Sequence, residues 1–200
     1  MEAKTRKSEM TQASIIDAAL DIAAERGLAA ISMKGVADRL QLSKSGVFSR
    51  SGSVESLQLA VVEEYGRRFV ADIFLPAMQK PRGLPRLDAM MLRWFERVTT
   101  HSGIGAAVFE AAAFSLDSVD EKLKKILADG VAGWRFTMRR TVVQASEAGH
   151  LKADLNVDLF IYELHSLVLG ALYESAFLGD KKMAAKGVQA YYRLIDSYRP

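Results

Sequence analysis

The stretch ISMKGVADRLQLSKSGVFSRSGS, from Ile31 to Ser53, decides how this chain is read. Ser32 stands where a side-chain oxygen caps a short helix whose buried side would be Val36, Ala37 and Leu40. A tight turn follows Leu40. Ser43 is a second cap, with Leu42 before it and Val47 beyond it at the spacing of a hydrophobic staple, which fixes a helix's entry angle. This next helix is brief, ending near Ser49, and Ser51, Gly52 and Ser53 form a break in which Ser53 caps the helix that follows. Two short helices joined by a tight turn and buttressed by a preceding helix make a helix-turn-helix, a stiff scaffold that presents one polar helix face outward. The outward positions here are Lys44, Ser45, Gly46, Phe48 and Ser49. On pattern alone, a helical hairpin inside an unrelated bundle remains an equal reading.

Upstream, apolar residues return at three- and four-residue intervals, predicting a helix over about 11–26 with Ile15, Ala18, Ala19 and Ile22 on one face and Ile16, Leu20 and Ala23 beside it. Gly27 supplies its stop. Downstream, Ser53 opens a long helix through Leu57, Val61, Tyr65 and Phe69 toward Met78. Pro76, Pro81, Gly83 and Pro85 place a joint inside or just after that helix. Five more helices are expected at about 84–100, 106–116, 119–148, 157–179 and 181–198. The fold class is therefore all-α: an N-terminal three-helix unit over residues 1–55, with its arm, joined by the long helix to a larger helical domain over 56–200.

Composition narrows the functional classes. Half the 200 residues are apolar and about a quarter charged, as in a globular protein. No run reaches the ~20 apolar residues needed to span a bilayer, and residues 1–10 lack the apolar core of a signal peptide, so a cytoplasmic location is expected. The chain has no cysteine, which excludes disulfides, thiolate metal sites and thiol nucleophiles. None of the three histidines has a metal-binding partner at helical spacing, and no nucleophile elbow or phosphate loop occurs. Neither enzyme activity nor a metal or cofactor is expected. The net charge of +3 is unevenly placed: between Met33 and Gly52, Lys34, Arg39, Lys44 and Arg50 face Asp38 alone. Such a patch steers a chain toward phosphates; a solvated charged face is the plainer reading.

The order of motifs carries a resemblance. Ile15-Ile16-Asp17-Ala18-Ala19-Leu20, Glu25-Arg26-Gly27, Ile31-Ser32, Val36-Ala37, Leu42-Ser43-Lys44-Ser45-Gly46-Val47-Phe48 and Ser53-Val54-Glu55-Ser56-Leu57 together resemble the N-terminal domain of TetR/AcrR-family repressors. The resemblance implies a homodimer on a palindromic DNA operator, released when a small effector binds the C-terminal domain. With it, Ser32, Lys34, Ser43, Lys44, Ser45, Gly46, Phe48, Ser49, Arg50 and Ser53 are the candidate DNA-binding set; the resemblance implies that Ser32 and Ser53 are helix caps that meet phosphates, and Arg50 is expected from its position to be a compensating phosphate contact. Four positions depart from the family pattern. Gln41 stands for the turn glycine, Phe48 for a phosphate-binding tyrosine, Ser51 for a buried phenylalanine and Val54 for a lysine. They keep open the alternative of a small-molecule-binding or interaction protein whose helix-turn-helix has lost specific DNA.

For the C-terminal domain the resemblance implies an effector pocket, for which Met90, Met91, Trp94, Phe95, Phe109, Phe114, Trp134 and Met138 are the candidate lining. Flexible methionines and aromatics suit a lipophilic or aromatic ligand, and they equally suit a plain core. It also implies dimerisation through the last two helices. The candidates are Phe160, Leu164, Leu167, Val168, Ala171, Leu172, Ser175, Tyr191, Tyr192 and Ile195, because the apolar width there exceeds what one neighbouring helix covers. A monomeric core is the competing reading.

Overall fold

A computed structural model describes residues 2–100, 121–176, 178–180 and 182–200. The regular elements among the described residues are all helices, with no strand among them. Contacts divide them into two compact units, one made of residues 2–67 and 121–127, the other of residues 68–100 and 128–200.

In the first unit, helix α1 (Glu2–Arg26) begins nine residues before the expected start and ends where Gly27 turns left-handed at φ 84°. Its buried side is Ile15, Ala18, Ala19, Leu20, Ile22 and Ala23. A single 3₁₀ turn (Leu28–Ala30) leads to α2 (Met33–Leu40), then α3 (Lys44–Ser51) and α4 (Val54–Phe69). Helix α1 packs on both α2 and α3, and α2 on α3. Met33, Val36 and Ala37 from α2 and Val47 from α3 are buried, whereas Leu40 is only half-buried. On α4, Leu57, Val61, Val62 and Tyr65 are buried at three- and four-residue intervals. The Gln58 amide donates to the Leu28 carbonyl at 3.1 Å, which ties α4 to the turn after α1.

Helix α4 does not run on unchanged to Met78. Residues Val70–Phe74 widen into a π-helical turn, after which α5 (Leu75–Met78) finishes the segment. Pro76 explains the change, since it has no N–H to donate to the fourth residue before it and its ring crowds that carbonyl. The second unit continues with α6 (Leu84–Thr100), α7 (Glu121–Glu147, whose residues from 128 belong here), α8 (Val157–Ala176) and α9 (Met183–Ser197). The helix expected over 106–116 lies outside the described residues. Helices α6, α8 and α9 pack on one another around Phe95, Phe160, Leu164, Val168, Tyr191 and Ile195, all fully buried.

Polar groups close the ends of this bundle. Leu84 N–H donates to His150 Nδ1 at 3.3 Å, and Lys152 Nζ donates to the Ser197 carbonyl at 2.9 Å, near the end of α9. The Tyr191 hydroxyl donates to Asp88 Oδ1 at 2.7 Å. Burial pushes Asp88 above the usual carboxylate range, and burial together with the neighbouring carboxylate pushes the Tyr191 phenol up.

Candidate nucleic-acid interface

The geometry of residues 32–56 follows from three serine caps. Ser32 Oγ accepts from Gly35 N–H at 3.0 Å, Ser43 Oγ from Gly46 N–H at 3.0 Å, and Ser53 Oγ from Ser56 N–H at 3.1 Å. Each cap satisfies one of the amides that a helix start leaves without a partner, and each is worth about 1 kcal/mol. Between α2 and α3, Gln41 adopts φ 55° and ψ 39°, the only left-handed non-glycine among the described residues. The turn therefore demands the conformation that glycine takes most easily, and Gln41 holds it under modest strain. Leu42 N–H donates to the Ala37 carbonyl at 2.9 Å and completes the turn.

With Val47 fully buried, α3 turns its other residues outward. Lys44, Ser45, Phe48, Ser49 and Arg50 are exposed, as are Ser32, Lys34 and Ser43; Gly46 and Ser53 are half-buried. Thus most of the expected DNA-binding residues are open to solvent rather than buried in their own core. Leu42 leaves 38% of its surface in water, whereas Val47 is fully buried and anchors α3. Gly46 is small for a local reason: an added Cβ would stand 3.0 Å from the Ser43 cap oxygen. Its carbonyl accepts from Ser49 Oγ at 3.1 Å and from Arg50 Nη1 at 2.8 Å. Lys34, Lys44 and Arg50 have no carboxylate partner among the described residues, so the surface keeps its positive charge; Arg39 is paired with Glu25 instead.

One carboxylate works against that charge. The Glu55 carboxyl sits in the first turn of α4, and hydrogen bonds from the Ser53 hydroxyl and its own backbone hold it below the usual range. The carboxylate thus adds negative charge beside the helix start that Ser53 caps. An acidic residue in a helix's first turn complements the positive end of the helix dipole, a signal the sequence itself carries at Glu55.

The other candidates lie in the second unit. Met90, Met91, Phe95 and Met138 are fully buried in its core, with Trp94 nearly so and Trp134 packed against it; Phe109 and Phe114 lie outside the described residues. Trp94 and Trp134 meet edge to face with centroids 4.5 Å apart, and His165 lies 5.5 Å from Trp134. Burial, aided by the Arg135 charge, lowers the His165 pKa. A separate pocket in the first unit, lined by Glu55, Gln58, Leu59 and Lys122 among others, has a volume of about 100 Å³. That is well below the roughly 300–1,000 Å³ of typical ligand sites.

The expected dimer face is corrected by burial. Phe160, Leu164, Val168, Ala171, Leu172, Tyr191 and Ile195 face the chain's own core, Leu167 packs against that core, and Ser175 Oγ donates to the Thr99 carbonyl at 3.4 Å. Only Tyr192, 39% exposed, opens to solvent. The exposed apolar stripe of α8 is a different one, made of Leu159, Tyr162 and Tyr173 with Ser166 and Gly170 between them. Because α8 is apolar nearly all round, its sequence does not separate core from stripe; packing against α6 and α9 does, leaving 159, 162, 166, 170 and 173 exposed.

Comparison with known proteins bears on the whole chain. No curated protein sequence matches it. The tetracyclin repressor-like C-terminal domain matches residues 83–191. Among solved structures, the chain is similar to a TetR-family transcriptional regulator from Cytophaga hutchinsonii, with TM-score 0.78, 17% identity and 96% of each chain covered. It is similar also to the ketosteroid transcriptional regulator KstR2 of Mycobacterium tuberculosis, with TM-score 0.75, 18% identity and 95% of each chain covered. A third is AibR, solved with isovaleryl coenzyme A and operator DNA, with TM-score 0.71 and 16% identity over 88% of this chain and 95% of that one. These likenesses establish the fold. With a family match across more than half its length, the chain belongs to the TetR family of transcriptional regulators.

Proposed function

We propose that the chain is a homodimeric repressor that binds a palindromic operator through α3 and leaves it when a lipophilic or aromatic effector binds the C-terminal domain. The observation that carries this reading is the outward set on the capped α2–α3 pair: Lys34, Lys44, Ser45, Ser49 and Arg50 are all exposed around a fully buried Val47. In this reading residues 1–55 hold the DNA and residues 56–200 hold the effector and the second subunit. Two copies would set their α3 helices about 34–36 Å apart, one turn of DNA. A coupling of about 1–3 kcal/mol between effector and operator suffices for a 5–150-fold change in affinity.

The stripe of Leu159, Tyr162 and Tyr173, with Tyr192 on α9, is the surface proposed to pack against the second copy. The effector is proposed to lodge beside Trp94 and Trp134, where methionine and aromatic surface supports an apolar ligand. AibR, crystallised with an acyl-coenzyme A and operator DNA, supports the pairing of those two ligand types on this fold. Because the chain's two tryptophans both stand in this cluster, effector binding would quench or shift intrinsic fluorescence.

The Glu55 carboxylate at the start of α4 favours a second reading, a small-molecule-binding or interaction protein whose helix-turn-helix holds DNA only weakly. Selection of bound fragments from a genomic DNA pool at physiological salt separates the two. A recovered palindrome supports the repressor, and retention without sequence preference supports the second reading.

A further inference from the structure

Phe48 leaves 58% of its surface in water, an apolar ring on an otherwise polar helix face. We propose that Phe48 reads a thymine of the operator through its C5-methyl group, an inference that rests on the DNA-binding reading above. The helical period places Ser45 and Ser49 farthest from the buried Val47, and Phe48 on the flank it shares with Lys44, one turn earlier.

The neighbours leave little else to discriminate bases. A serine hydroxyl donates or accepts, so Ser45 and Ser49 suit several base edges. Ser49 Oγ is also engaged by the Gly46 carbonyl at 3.1 Å, and Ser45 Oγ lies 3.2 Å from Ser43 Oγ. Arginine reads guanine best, yet the Arg50 guanidinium is turned back onto the Gly46 carbonyl at 2.8 Å. Lys44 and Phe48 remain. A phenyl ring has no donor for a phosphate, and pressing it there would remove water from the anion without replacing its hydrogen bonds. Among base edges in the major groove, the apolar group is the thymine methyl. The short side chains at 45 and 49 let the helix sit close enough for the ring to reach it.

The duplex recovered by genomic selection is the probe. Each thymine in turn is replaced by deoxyuridine, which removes the methyl and preserves every hydrogen-bonding edge. The full-length wild-type protein is expected to lose about fourfold in affinity at one position per half-site, the equivalent of one buried methylene. Phe48→Ala, whose melting temperature is measured alongside to verify folding, is expected to bind the parent duplex more weakly and to ignore that replacement. Equal losses in both proteins, or no sensitive thymine in the wild type, overturn the assignment while leaving DNA binding intact. Failure to recover any sequence-specific duplex overturns the assignment together with the reading beneath it.

Discussion

Arg93 Nη1 donates to the backbone carbonyl of Asp72 at 3.3 Å, and Asp72 is the residue whose carbonyl Pro76 cannot satisfy, four positions later. The Arg97 guanidinium meanwhile pairs with the Asp72 carboxylate. Two arginines of α6 thus hold the π-helical turn that proline forces on the end of α4. Arg93→Ala is expected to cost about 1 kcal/mol in thermal unfolding, the worth of one hydrogen bond. In a Pro76→Ala background, where an amide is restored at position 76, the cost of the same change is expected to shrink. Additive losses in the double-mutant cycle would show that Arg93 and Pro76 are not coupled.

Gly187 of α9 lies against the ring of Phe95. A Cβ there would stand 2.7 Å from two ring carbons, and Phe95 is fully buried with no room to retreat. Alanine ordinarily gains about 0.5–1 kcal/mol over glycine inside a helix, whereas overpacking a core costs about 1–3 kcal/mol. Packing wins: Gly187→Ala is expected to lower stability in denaturant titration, and Phe95→Leu on top of it to recover part of the loss. An alanine variant more stable than wild type would refute this contact.

His165 gives stability a pH dependence. Its folded-state pKa is lowered from the ordinary 6.5 by burial first and the Arg135 charge second. The unfolded chain therefore takes up this proton at a higher pH than the folded one, and acidification favours the unfolded state. Stability contributed above about pH 6.5 is expected to be lost as pH falls through the window between the unfolded and folded values. His165→Gln should flatten the melting temperature across that window; an unchanged slope would assign it to other groups.

Glu55 opposes phosphate at the start of α4. Removing its charge in Glu55→Gln is expected to raise affinity for duplex DNA by about two- to fivefold at low salt, because an anion at a helix N-terminus repels a phosphate there. The gain is expected to fade at high salt, where surface charges are screened. Fluorescence anisotropy with a labelled duplex measures both, and weaker binding by the variant would mean that Glu55 helps rather than hinders.

For association, the relevant contrast is between neighbouring residues of α8. Replacing the exposed Tyr162 and Tyr173 by glutamate is expected to leave the helical spectrum unchanged and to yield the 22.0 kDa chain alone in sedimentation. Leu164→Ala, in the core, is expected to cost about 2–5 kcal/mol of stability. A dimer that survives both glutamates would place the second copy elsewhere.

Local chemistry by itself determined the short capped helices of residues 32–51 and the start of the next. Caps at Ser32, Ser43 and Ser53 and the stop at Gly27 are written in residues within a few positions of one another, so a sequence displays them directly, whereas the left-handed turn at Gln41 was implied only by the family resemblance. The bounds of α6 were legible for the same reason. Tertiary structure alone decided which side of α8 is core. Its apolar residues surround the helix, and only the packing of α6 and α9 turns Phe160, Leu164 and Val168 inward and leaves Leu159, Tyr162 and Tyr173 in water. The same holds for the aromatic contact of Trp94 with Trp134: periodicity tells which residues share a face of one helix, and it carries no information about which neighbour that face meets.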